Sequence, residues 1–196
     1  MVAPPAGDSA EVLALQDAVR LWRLDGVTHV AEVIDAATDC LVAGLDSPSL
    51  RMLAGASPRE SMFELEPLIL ATLGELGYSD LLLTNVTDEA MRAMCRRHMR
   101  GLMPARELAA WAHARVGHEG PLDAQPLVVL DDMYDERDYL GYDVDELDRW
   151  THAEAEAVLN GLPSPGTTER YGIPVLAPRP DAPRRQRWRW LRSRNG

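Results

Sequence analysis

The sequence predicts an all-α protein: one compact multi-helix domain, then a proline-rich extended segment and a basic tail. Apolar residues recur at spacings of three and four through most of residues 8–161. Cap residues precede these runs and glycines follow them. Apolar and polar residues almost nowhere alternate as a half-buried strand requires. No 20–50-residue repeat is present.

Residues 1–7 read as a loose, flexible end. Asp8 or Ser9 then caps a first helix whose Val12, Leu15, Val19 and Trp22 share one face, ending near Asp25-Gly26. A second helix begins near Thr28, carries Val30, Val33, Ile34, Ala37 and Leu41 on one stripe, and closes at Gly44. Ser47-Pro48 and Ser57-Pro58 each place a hydroxyl before a proline suited to a first helical position. The first starts a short helix over 48–54. The second, with Glu60 completing a capping box, starts a helix at Pro58. Glu66-Pro67 is expected to split that helix into 58–65 and 67–76, because proline disfavours helical geometry in the residue before it.

Leu81–Leu83 read as a short strand or a buried connector. Thr87, Asp88 and Glu89 start a helix reaching about Arg100, with Met91, Met94, Cys95 and His98 on one side and Arg92, Arg96 and Arg100 on another. Pro104 starts the next, with Leu108, Trp111, Ala112 and Val116 inward and Gly117 as its stop. After a loop over 117–125, Leu127, Leu130, Met133 and Tyr134 fit the helical period, so 126–140 reads as helix, with a buried strand over 127–136 as the alternative. Asp143 and Glu146 open a last helix, to about Asn160. From Leu162 the prolines 163, 165, 174, 178, 180 and 183 forbid a continuous helix. The divisions expected are therefore 8–161 for the helical domain, 162–178 for the extended segment and 179–196 for the tail.

Composition narrows the chemistry. The 196 residues contain 20 cationic side chains, every one of them arginine. A lysine-dependent phosphate loop, Schiff-base catalysis and a protein-kinase site are thereby excluded. Cys40 and Cys95 belong to no CxxC or Cys/His pattern and read as reduced, packed thiols; with no signal-peptide pattern at the start, the expectation is a cytoplasmic protein. Cys95 and His98 form a helical pair that reads as core rather than as a catalytic dyad. No G-x-S-x-G elbow is present, so no catalytic residue is assigned, no cofactor is expected, and the reading leans away from an enzyme.

The net charge of −11 is unevenly spread. Residues 179–196 hold seven arginines against one aspartate, a local +6, which leaves −17 on residues 1–178. So acidic a body repels nucleic acid and favours a basic partner.

Four constellations follow. The stretch 131–148 carries nine carboxylates, with Tyr134, Tyr139 and Tyr142 interleaved and Trp150 close behind. Asp131, Asp132, Tyr134, Asp135, Glu136, Asp138, Tyr139 and Tyr142 are the candidate partner-binding residues, because charge steers an encounter and aromatics anchor it. Acidic immunity proteins and antitoxins use this logic against basic toxins; a solvated face that keeps the protein soluble is the plainer alternative. His113, His118 and Glu119, near Asp131, Asp132 and Asp135, form a candidate metal set of the type that holds zinc, manganese or iron, and a metal-dependent enzyme is the second functional reading. In the tail, Arg184, Arg185, Arg187, Trp188, Arg189 and Trp190 are candidates for anion binding, toward nucleic acid or anionic membrane, with docking on the chain itself or a free end as alternatives. The basic helix face of Arg92, Arg96, Arg97 and Arg100 is expected to pair with carboxylates of the same body. The Met-rich and Trp-bearing helices also offer a face for a homodimer.

The segments GLDSPSLRMLAG (44–55), PARELAAWAHARVGHEG (104–120) and LVVLDDMYDE (127–136) are similar to segments of uncharacterised acidic helical proteins of high-GC Gram-positive bacteria. The resemblance spans about half of the chain. It implies a small soluble bacterial protein acting through contacts with another protein, and implies no site residue.

Overall fold

The computed structural model describes residues 9–165. The expected loose end at 1–7, the tail at 179–196 and most of the proline-rich segment lie outside the described residues. Within them are eight α-helices and no strand. They are α1 (Ala10–Asp25), α2 (Val30–Val42), α3 (Pro48–Ala54), α4 (Met62–Leu76), α5 (Val86–Met99), α6 (Ala105–Arg115), α7 (Gln125–Leu140) and α8 (Val144–Asn160).

Local signals set most boundaries. Ser9 and Ser47 accept from the N–H groups of Val12 and Leu50, and Asn85 accepts from Thr87 and Asp88. Asp143 caps α8 by accepting from Asp145 N–H. The chain takes a left-handed turn at Gly141 (φ 75°) and Gly161 (φ 62°), where a side chain would be strained, to end α7 and α8. Leu81–Leu83 belong to a 3₁₀ turn, so the connector reading holds and the strand reading does not. The 127–136 segment is helix.

Helix α4 departs from expectation twice. Ser57-Pro58 opens no helix: Glu60 turns back onto the Ser57 N–H at 2.9 Å and closes a local turn instead. The helix starts one repeat later, where Glu64 accepts from the N–H and hydroxyl of Ser61 at 3.0 and 2.8 Å. It then runs unbroken through Pro67. Proline there removes one hydrogen bond, to the carbonyl of Phe63, whose side chain lies in solvent. Against that loss, Leu65, Ile69 and Leu73 form one fully buried stripe only if the helix stays continuous across the proline.

Two apolar clusters result. Val12, Leu15, Val19 and Trp22 of α1 pack with α2, α3, α4 and Leu81. Leu21, from another side of α1, packs with α5–α8, including Met91, Met94, Cys95, Leu108, Leu127, Leu130 and Leu147. Helix α1 therefore serves both cores, and α5 is its main neighbour in the second.

Charge fastens that seam. Asp17, only 3% exposed, accepts from Arg96 Nε at 2.9 Å and from Arg20 Nη1 at 3.1 Å, with Arg100 at 3.9 Å. Arg20 Nε also donates to Glu89 at 2.6 Å, and Arg97 of α5 donates to Glu32 of α2 at 2.6 Å. Arg92 donates to the Val158 carbonyl at 2.6 Å. Arg96, Arg97 and Arg100 thus meet carboxylates, as expected, while Arg92 meets a backbone carbonyl instead.

Asp17→Ala should lower stability by about 3 kcal/mol or more in urea unfolding, because it leaves clustered guanidinium groups partly buried without their counter-charge. Burial also pushes the Cys40 thiol up to about 11 and the Cys95 thiol up to about 12. Neither should react with a disulfide reagent at pH 8 in the folded protein, and both should react in urea, as a colorimetric thiol assay will read.

Candidate functional site

Helices α6 and α7 lie side by side, joined by a loop whose shape is set by two glycines. Gly117 takes φ +64°, which reverses the chain just after α6. At Gly120 a Cβ would stand 2.7 Å from the Val116 carbonyl oxygen and 2.2 Å from its side chain, so only glycine fits. Gln125, the first residue of α7, donates to the Gly117 carbonyl at 2.9 Å and ties the loop down.

That turn brings His118 back over the last turn of α6. The His113 and His118 rings meet edge to face, 4.9 Å between centroids. From α7, Asp131 Oδ2 lies 2.9 Å and Asp132 Oδ1 3.4 Å from His113 Nδ1. Asp132 Oδ2 lies 3.5 Å from His118 Nε2. One ligand atom each from His113, His118 and Asp132 falls within 4.8 Å of the others, and among the described residues these three form the group that could hold a metal ion. Glu119, expected in the set, is exposed and outside it; Asp132 takes its place. Adjacent sequence suggested Glu119, but the helical period of α7 aims Asp132 at the loop.

The acidic stretch divides along α7. Asp131 and Tyr134 are buried, so neither belongs to an exposed recognition face. Tyr134 is a core residue, 4% exposed, whose hydroxyl donates to Asp148 Oδ1 at 2.5 Å. Burial first, then the Asp148 carboxylate, pushes its phenol above the ordinary value. Asp132 and Tyr142 are half-buried, and Tyr142 packs edge-on against Trp150 at 6.0 Å. Asp135, Glu136, Asp138 and Tyr139 are exposed, Tyr139 at 94%.

Arg106 of α6 stands between the two zones. Its guanidinium lies over the Tyr134 ring, 5.0 Å from the centroid, binds Asp135, and approaches Asp131 Oδ1 to 4.0 Å. An open depression of about 380 Å³ beside it is lined by Arg106, Tyr134, Asp135, Arg137, Asp138 and Val144. Sequence reasoning missed Arg106, since nothing local marks an arginine 29 residues from the carboxylate it meets.

His98 is not paired with Cys95 as a dyad would require. Its Nδ1 meets the Met103 carbonyl at 2.9 Å and its Nε2 meets His152 Nδ1 at 3.3 Å. The six tail residues singled out for anion binding, Arg184 to Trp190, lie outside the described residues. Among those described, no helix is long and apolar enough to cross a membrane.

The chain matches no family model, and no curated protein or solved structure is significantly similar to it.

Tyr134→Phe should cost about 1–2 kcal/mol in urea unfolding, the loss of a hydrogen bond to a carboxylate from a site that keeps its packing. It should leave the helical circular dichroism unchanged.

Proposed function

We propose that this protein is a non-enzymatic interaction module, immunity- or antitoxin-like in mode, that binds a basic protein through the outer end of the α7–α8 hairpin. The observation that carries the reading is Tyr139. A large aromatic side chain stands almost wholly in water, flanked by the exposed carboxylates of Asp135, Glu136, Asp138, Asp143 and Asp145. Tyrosine supplies much contact area at little conformational cost, and carboxylates around it draw in and orient a cationic surface.

The neighbouring depression adds a receptor for a protruding side chain, with Asp135 and Asp138 on its wall. Arg106 pairs with Asp135, and the other local cations do less to neutralise the patch. Arg137 lies 3.4 Å from Asp138, and Arg149 donates to the backbone carbonyl of Asp145 at 3.2 Å. A rigid helix end presenting charge and one aromatic suits fast, salt-sensitive association better than it suits chemistry on a small substrate.

Affinity capture from native lysate at low salt, eluted with a salt gradient, tests this. One stoichiometric basic protein eluting early is expected. Tyr139→Ala should weaken its retention about thirty-fold, the scale of a single 2 kcal/mol anchor. An empty capture with folded protein, or capture unaltered by Tyr139→Ala together with Asp138→Asn, would overturn the reading.

A further inference from the structure

The geometry points to a divalent transition-metal site of the zinc class on the α6–α7 face, formed by His113, His118 and Asp132, with Asp131 behind them. It lies apart from the exposed tyrosine face and goes beyond the interaction reading.

The first argument is donor type and placement. Two imidazoles and a carboxylate are the borderline ligand set that zinc-class ions prefer over calcium or magnesium. A tetrahedral ion with bonds of about 2.0–2.1 Å holds neighbouring donors about 3.4 Å apart. Asp132 Oδ1 already stands 3.4 Å from His113 Nδ1, and its other oxygen 3.5 Å from His118 Nε2, so one carboxylate spans both imidazoles. Small side-chain rotations close the remaining edge, since the ligand atoms all lie within 4.8 Å of one another.

The second argument is an excess of acceptors. Both carboxylates turn toward the same nitrogen, His113 Nδ1, at 2.9 and 3.4 Å. Asp131 Oδ1 is buried without a hydrogen bond, its nearest cation the Arg106 guanidinium at 4.0 Å. Two carboxylates therefore compete for one ring nitrogen, with a second imidazole beside it. A cation held by that nitrogen, by Asp132 and by His118 relieves the competition.

The third argument is support. His113 sits on a helix end, His118 on a loop locked by Gly120 and Gln125, and Asp132 on a packed helix. Three donors held on separate elements leave a fourth position toward solvent, because His118 is exposed and His113 and Asp132 are half-exposed. A bound ion would thus staple the α6–α7 loop while keeping a place for water or for a partner's side chain.

Calorimetric titration of the chelator-treated full chain with Zn²⁺ alone tests the site. Saturation at one ion per chain is expected. His118→Ala and Asp132→Asn should each weaken binding by at least about 100-fold, since each removes one of three ligands. Glu119→Gln should bind as the unaltered chain does. His118 and Asp132 reach solvent, so both variants should keep the helical circular dichroism of the parent. Absence of saturable binding, or undiminished binding by folded His118→Ala and Asp132→Asn, would overturn the site.

Discussion

The buried carboxylate of Asp17 is the constraint on which the arrangement of the two cores rests. Helix α1 is the element that serves both clusters, giving most of its apolar face to α2–α4 and Leu21 to α5–α8. A helix that packs on two sides must have its rotation fixed, or each core would pull it toward its own optimum. Asp17 fixes it by meeting Arg96 across the seam while Arg20, one turn on, reaches Glu89. Arginine suits this use, since its planar fork makes two directed contacts where an ammonium would make one undirected one. Arg115 of α6 adds a further tie, to Asp25 at the end of α1. Once α5 is placed, α8 and α6 pack on it and α7 closes over both.

That placement gives helix α7 two different lives. Its first half is packed, and there carboxylates survive because polar groups from α6 and the loop after it come to meet them: His113 and Arg106 for Asp131, both histidines for Asp132. Along its last turns Asp135, Glu136, Asp138 and Tyr139 are exposed. Arg106 marks the boundary, holding the Tyr134 ring from above and Asp135 from the side. Two neighbouring sites of opposite character, one convergent and partly dry, one divergent and wet, follow from where a single helix emerges from the bundle.

Much of this was legible before any coordinates. Caps at Ser9, Ser47 and Asp143 and glycines at 117 and 161 are local signals, and the structure uses each of them. The failures share a cause. Ser57-x-x-Glu60 and Ser61-x-x-Glu64 look equally able to start a helix, and only the burial of Leu65, Ile69 and Leu73 selects the second. Pro67 looks like a breaker until the continuous stripe that spans it is weighed. Asp17 passed unremarked because its partner is 79 residues away. Tyr134 read equally well as core and as surface because a helical period gives a face but not what lies against it. Of the carboxylates read beside the two histidines, Asp132 meets both and Glu119 neither, because proximity in sequence to His118 is a poorer guide than the direction in which α7 projects its side chains.

The distribution of arginine explains why the outer end of α7–α8 stays so acidic. Arg20, Arg96, Arg97, Arg100 and Arg115 are engaged by carboxylates of α1 and α2, Arg92 by the end of α8, and Arg23 by the carbonyls of Leu82 and Thr84. Those contacts draw cationic charge toward the seam between the cores. The hairpin end has Arg106, paired with Asp135, and Arg137 and Arg149 as its nearest cations, fewer than the exposed carboxylates of Asp135, Glu136, Asp138, Asp143 and Asp145. Exposed carboxylates also stand elsewhere, among them Asp39, Glu66 and Glu107, but beside Tyr139 they accompany a fully presented aromatic side chain. The pairing that holds the fold together is in this way also what leaves the proposed recognition end with few cations.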